Sequence, residues 1–395
     1  MKTLQIASIA FCLMLAGGCQ DPVNHDGKPL DIPFKPAESI DMSHYIGDVS
    51  YITLENHPQS AFMDVDKLEV NKGNIFILDK KLKSVFCFDS TGRFRFRIQR
   101  VGQGPGEYQN LDAMWVKDET SELWLQCFWP AKIMVFSFEG ILTREFKIRW
   151  PCRDLVLIDN HRLVGFNPDE VEDDKGPLPG GIIIFNENGE VVSQPLIKGD
   201  TTVFWSVLYQ RYITENDGEA LILCQSDSVF RVNGNGDLTI DFQMNWGRKS
   251  MPEEWKRRYF SSPEGYDFMA EDVISAKDML IAFGPIRIFR IFFRDHLEFA
   301  VADLRTGKGI FSTQINSPKS ILPTIYPLTS GENELIGILD MTTLYALKDM
   351  EKPANMEADQ KEMFRRMDSI VDIAITNDRP ILWFAKIKND VLTSN

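Results

Sequence analysis

At 395 residues, with 44% hydrophobic and 25% charged side chains, the chain has the composition of a globular protein large enough to bury a substantial core, which excludes disordered and fibrous polymers. Its formal net charge of −14 repels polyphosphate, so nucleic acid is excluded as an expected partner.

The chain opens with Lys2 and an apolar run from Leu4 to Leu15 that ends in Ala16-Gly17-Gly18-Cys19. About a dozen apolar residues are too few for a permanent bilayer-spanning helix, which needs roughly 20, so residues 1–18 read as a signal peptide. Small residues before Cys19 make it the expected lipid anchor, acylated after cleavage, and Gln20 behind it points to the outer membrane. No second apolar run is long enough to cross a bilayer, so the N-terminal lipid is the expected membrane link. Residues 19–42 are polar, carry four prolines and are expected to be a lipidated, flexible tether. Residues 43–395 are then a single domain.

That domain begins with a lone strand, Val49–Leu54, and continues into repeats. Asn74–Gly92 aligns with Glu122–Gly140 at an offset of 48 without a gap, each copy holding two short apolar strands and closing on a turn glycine. Further copies end at Gly189, Gly236 and Gly307, which gives glycine spacings of 48, 49, 47 and 71. Short strands at such a period, punctuated by glycine and asparagine turns, predict the antiparallel meanders of an all-β propeller. One meander alone leaves an apolar face exposed, so copies must stack into a ring. Six blades are expected, with seven as the alternative.

The long interval holds a predicted short helix near 250–260, where Ser250 and Glu253 form a capping box around Pro252. A sixth, degenerate copy is expected through Leu335–Leu339 and Leu344–Leu347. A second helical insertion near 355–372 follows it, with Met363, Phe364, Met367, Ile370 and Val371 on one face. The last strand, Ile381–Ile387, is predicted to pair with the first, Val49–Leu54, and close the ring.

The succession of lipoprotein cysteine, polar tether, Val49-Ser50-Tyr51-Ile52-Thr53-Leu54-Glu55, Phe88-Asp89-Ser90-Thr91-Gly92 and Gly102-Gln103-Gly104-Pro105-Gly106-Glu107-Tyr108 resembles the six-bladed β-propeller lipoproteins of Gram-negative anaerobes, relatives of NHL-repeat propellers. The resemblance covers nearly the whole chain, and it implies a fold and a cell-envelope location more than an activity.

Chemistry-bearing patterns are sparse. Cys87, Cys127, Cys152 and Cys224 lack any C-x-x-C spacing and read as small buried hydrophobes. His44, His57, His161 and His296 are far apart, no Gly-x-Ser-x-Gly elbow occurs, and the loop at 102–108 lacks the Lys and Ser/Thr of a phosphate loop. No cofactor is expected. The acidic stretch Asp169–Asp174 is the one candidate for calcium, although its spacing is not that of a regular calcium loop and a solvated interblade loop is the plainer reading. Arg93, Arg95 and Arg97 alternate with Phe94 and Phe96, as on the outer strand of a blade.

The loop from Gly102 to Tyr108 breaks the repeat. Three glycines around Pro105 permit close approach by another group, so Arg100, Gln103, Glu107 and Tyr108 are the expected ligand-binding residues at the mouth of the central channel; a tight interblade turn is the alternative. The function expected from these features is a binding or scaffold module for a glycan, a peptide or a partner protein. The alternative is a metal-assisted lyase or hydrolase of a sugar or lactone at the propeller axis.

Overall fold

The computed structural model describes residues 29–395 apart from two longer segments, 198–211 and 256–270, and short breaks at 129, 150–151, 159–161, 168–170, 174–175, 179, 225, 253–254, 318–319, 321, 323–324, 332, 353–354 and 394–395. The signal peptide, Cys19, the first part of the expected tether, His161 and most of the helix expected at 250–260 lie outside the described residues.

The described strands form six four-stranded antiparallel units, the arrangement of a β-propeller. In chain order the first four are Lys67–Asn71 to Phe94–Ile98, Ala113–Lys117 to Leu142–Lys147, Asp154–Ile158 to Val191–Ile197, and Ile213–Asn216 to Leu238–Asn245. The fifth runs from Ile274–Phe283 to Lys308–Ser312. The sixth takes three strands from late in the chain, Pro327–Ser330, Glu334–Leu339 and Ile381–Ile387, and its outermost strand, Ile46–Thr53, from the start. Ile381 lies opposite Thr53 and Ile387 opposite Ile46, so the two ends of the domain are hydrogen-bonded into one sheet, as the sequence predicts. The first strand of each unit lies against the first strand of the next, and the sixth returns to the first, which closes a ring around an axis.

Buried side chains from facing sheets fill the wedges between units. Phe76, Leu78, Cys87, Met114, Leu125 and Phe136 join the first unit to the second, and Trp115, Trp124, Leu155, Ile183 and Phe185 join the second to the third. The repeat glycine has a packing task as well as a turn task. Gly92 adopts φ +83° as its amide bonds to the Asp89 carbonyl, and a Cβ there would run into the Thr53 carbonyl and Ile52 of the closing strand. Cys87, Cys127, Cys152 and Cys224 are buried thiols outside any disulfide among the described residues, and burial pushes those of Cys87, Cys127 and Cys224 up to about 12.

Two expectations are corrected. Leu344–Leu347 is not a strand but part of helix α1, Met341–Lys348, because Asp340 caps it by accepting the Thr343 amide at 2.7 Å. Helix α2, Ala358–Thr376, follows, and the apolar face read from the sequence is the one that packs on the core beneath the sixth unit.

The second correction concerns the tether. Within residues 19–42, the segment Asp31–Pro36 is a strand, Ile40–Asp41 pairs with Ile315–Asn316, and Met42–His44 is a 3-10 turn. Asp31–Pro33 runs parallel to Gln243–Asn245 of the fourth unit, and Phe34–Pro36 runs parallel to Gly309–Phe311 of the fifth, so this strand stitches two units into one nine-stranded sheet. Pro33 stands where the strand changes partner and Pro36 where it ends, positions at which a proline interrupts the ladder least. Ile32 and Phe34 are buried while Asp31 and Lys35 face water. The Phe34 ring lies 4.3 Å from that of Trp246 and 5.7 Å from that of Phe289, over Gly309, where any Cβ would approach the ring to 2.6 Å. A buried ion pair between Asp241 and Arg287, at 2.8 Å, joins the same two units.

Phe34→Ala empties this aromatic slot and should cost about 3–5 kcal/mol of stability, read from urea denaturation. A loss under about 1 kcal/mol would show that the strand is an appendage rather than part of the ring.

Candidate functional site

A cavity of about 580 Å³ lies on the axis, lined by the first strands of all six units together with Leu392 near the C-terminal end. The first inner strand shows its chemistry: in Lys67-Leu68-Glu69-Val70-Asn71, the polar residues Lys67, Glu69 and Asn71 line the cavity together with Val70, while Leu68 is core.

Lys67 and Asp154, the first residues of their strands, meet across the ring past the whole second unit. The Lys67 ammonium is 3.5 Å from Asp154 Oδ1, 3.5 Å from the Leu155 carbonyl and 3.8 Å from Glu69. Asp154 is itself fixed by three backbone amides: Leu155 donates to Oδ1 at 2.9 Å, and Tyr212 and Ile213 donate to Oδ2 at 3.0 and 3.2 Å. The carboxylate therefore pins the third unit to the fourth, and the lysine forms a floor.

Nearer the hairpin end, the third residues of four inner strands are Glu69, Trp115, Val156 and Glu215. Glu215 accepts the Gly218 amide at 2.6 Å. Its side chain is exposed by area, but the protein packed around it makes desolvation the main cause that raises its carboxyl above the ordinary range; nearby Asp217 and Glu69 push the same way, against the Gly218 hydrogen bond. Trp115 is 3% exposed, and its indole N–H has no acceptor among the described residues. Asp118 and Asp217 stand at the rim, where Lys72 pairs with Asp118 at 3.1 Å.

The residues expected from the sequence lie elsewhere. Arg100, Gln103, Glu107 and Tyr108 do come together, but none of them lines the axial cavity. Tyr108 is fully buried, donates to the Lys83 carbonyl at 2.9 Å and accepts the Arg100 amide at 3.1 Å; burial pushes its phenol up to about 12. Glu107 turns back on its own loop to accept the Gly104 amide at 2.8 Å. The Gly106 amide donates to Glu145 of the second unit at 3.2 Å, and the Arg100 guanidinium lies over Phe136 at 5.8 Å. The loop is thus a clamp between the first and second units, and its glycines admit the Glu107 carboxylate.

Arg95 bonds to Asn74 and Arg97 to Ser84, in keeping with an outer strand, and of the acidic stretch the described part, Val171–Asp173, forms a small hairpin with Gly176–Leu178. Among the described residues no three His, Cys, Asp or Glu side chains converge as metal ligands. No described helix is long and apolar enough to cross a membrane.

Residues 29–384 match the family described as a domain of unknown function, DUF4934. The chain belongs to the DUF4934 family. No curated protein matches this DUF4934 chain in sequence. Among solved structures it is similar to BF0058 of Bacteroides fragilis NCTC 9343, provisionally described as an exported protein: TM-score 0.73, 14% identity, covering 91% of this chain and 100% of that one. A member of the DUF4221 family from Bacteroides vulgatus ATCC 8482 aligns with TM-score 0.49 and 9% identity over 86% and 98% of the two chains. BamB from Moraxella catarrhalis aligns with TM-score 0.37 and 10% identity over 74% and 72%. The likeness to BF0058 shows a shared fold.

A carboxyl whose folded value lies above its unfolded value of 4.5 weakens the fold while it is ionised, and that penalty disappears once acid protonates it in both states. Glu215→Gln keeps the hydrogen bond from Gly218 and removes the charge. The variant should be at least as stable as the parent at pH 7, with its advantage gone at pH 4, in paired urea titrations. A variant less stable than the parent at pH 7 and equal to it at pH 4 would show the ionised carboxylate to be stabilising instead.

Proposed function

We propose that this DUF4934 protein is an exported, six-bladed propeller lipoprotein, anchored to the outer membrane through Cys19, that binds a small polar ligand in its axial cavity. One observation carries the binding reading: a cavity of about 580 Å³ whose wall draws ionisable side chains from several units. The size is in the ordinary range for small-molecule sites, and a few convergent polar groups on rigid strands are the usual make-up of one. A scaffold needs no such cavity, because its contacts are made by outward loops. Support for export comes from the N-terminal sequence, Lys2 to Cys19, and from the likeness to BF0058.

Thr214, on the fourth unit's inner strand, lines the cavity between Ile213 and Glu215. Thr214→Trp should fill the site, and ligand-detected NMR against a panel of amino acids, dipeptides, amino sugars and neutral sugars should show signals for the parent that the variant loses, with the melting temperature within a few degrees. Signals retained in the variant and lost in Arg100→Ala would move the site to the interblade loop.

The anchor is tested separately by fractionation. Cys19→Ser should leave the membrane fraction with its propeller folded, and retention there with normal processing would refute lipid attachment.

A further inference from the structure

We propose that the ligand of the axial cavity is a small primary ammonium compound that also carries a hydrogen-bond acceptor, held with its ammonium group between Glu69, Glu215 and the Trp115 ring and its acceptor toward Lys67. This rests on the reading of the cavity as a binding site.

The charge balance of the wall points to a cation. Glu69, Asp118, Glu215 and Asp217 line the cavity, and among the described residues Lys67 is the one basic side chain in its lining. Lys67 already lies between Asp154 and Glu69, and Lys72 serves Asp118. Among the described residues neither Glu215 nor Asp217 has a basic partner within ion-pair distance, and both carboxylates are open to the water of the cavity. An ammonium group brings the missing positive charge and three donors for carboxylate oxygens. An anion would meet repulsion from every side but the floor.

Trp115 gives the second, independent indication. It sits in the wall at the level of the two glutamates, nine-tenths or more buried, and part of the indole borders the cavity. The indole is also the aromatic face that attracts an organic cation most strongly. At the floor, all three contacts of the Lys67 ammonium are 3.5 Å or longer, well beyond the ordinary N–H···O distance of about 2.9 Å, so its donors are not saturated. A lysine with spare donors below two carboxylates describes a molecule with an acceptor at one end and a cation at the other. Amino acids, short peptides and amino sugars share that chemistry.

The test is isothermal titration calorimetry of the full-length protein with glycylglycine and glucosamine, each against its N-acetyl counterpart, which keeps the frame and removes the charge. At least one free amine should bind, its N-acetyl form about tenfold or more weakly, and the Glu69→Gln/Glu215→Gln double variant should lose at least as much with its melting temperature unchanged. Trp115→Phe should weaken the same amine while keeping the aromatic face. Whichever amine binds more tightly assigns the source, peptide or sugar.

N-acetyl forms that bind as well as the amines would overturn the ammonium assignment and leave the axial cavity standing, provided that Thr214→Trp abolishes that binding. Amine binding undiminished in the double glutamine variant would overturn the placement. Absence of heat from all four probes up to roughly 10 mM, a concentration that detects even millimolar affinity, would overturn the proposal as a whole.

Discussion

Everything at the axis depends on one sheet, in which Ile381–Ile387 pairs on one side with Glu334–Leu339 and on the other with Ile46–Thr53. Without that pairing the sixth unit lacks its outer strand and the ladder ends in unpaired backbone groups, which buried structure tolerates poorly. The cavity has no wall of its own. It exists because six inner strands are held in a cycle, so closure far out in the sixth unit fixes the distance between Lys67 and Asp154 in the first and third. Closure also joins residues more than 300 positions apart in sequence, a contact whose loop entropy is met only when the rest of the ring has formed.

The joints between units are not equivalent. Most rest on side-chain wedges of the same kind, such as Phe76 with Met114 and Phe136, or Trp124 with Phe185. The joint between the fourth and fifth units has three further devices: the inserted strand Asp31–Pro36, the aromatic cluster of Phe34, Trp246 and Phe289, and the Asp241–Arg287 pair. Burial pushes the Asp241 carboxyl upward, but Arg287 and Arg231 outweigh it and hold the group below its usual value, so this buried charge is compensated from both sides. The joint between the first and second units uses the Arg100–Tyr108 loop in place of an extra strand.

The repeat was legible because its signal is local: an apolar strand, a polar turn, a second strand and a glycine forced to positive φ. Gly92, Gly140, Gly189, Gly236 and Gly307 all occupy that conformation. What the sequence hid was set by distant contacts. Leu344–Leu347 reads as a strand from its place in the repeat, whereas its leucines and alanine favour a helix that Asp340 caps and Leu344 anchors in the core. Pro33 and Pro36 signal a tether until the slot that receives Ile32 and Phe34 is known. The densest polar motif, Gly102–Tyr108, drew attention as a site, yet Tyr108, Glu107 and the Gly106 amide are bonded to the loop's own neighbourhood and to the next unit. Lys67, Glu69, Trp115 and Glu215 carried no motif at all. Their common feature is a position, first or third on an inner strand, and it becomes visible only when strands are ranked by distance from the axis.

The inserted strand also sets how the molecule would sit on a surface. A leash running from Cys19 to residue 42 would let the ring wander far from its anchor, whereas one that ends at Pro29, with Leu30 already bonded to Gln243, spans ten residues and reaches about 35 Å at full extension. Tension on such a leash acts along a strand that is parallel to both of its neighbours, so its ladder bonds share the load together instead of opening one at a time. If the proposed lipid anchor holds the chain, a pull from the membrane would enter the ring at the joint between its fourth and fifth units.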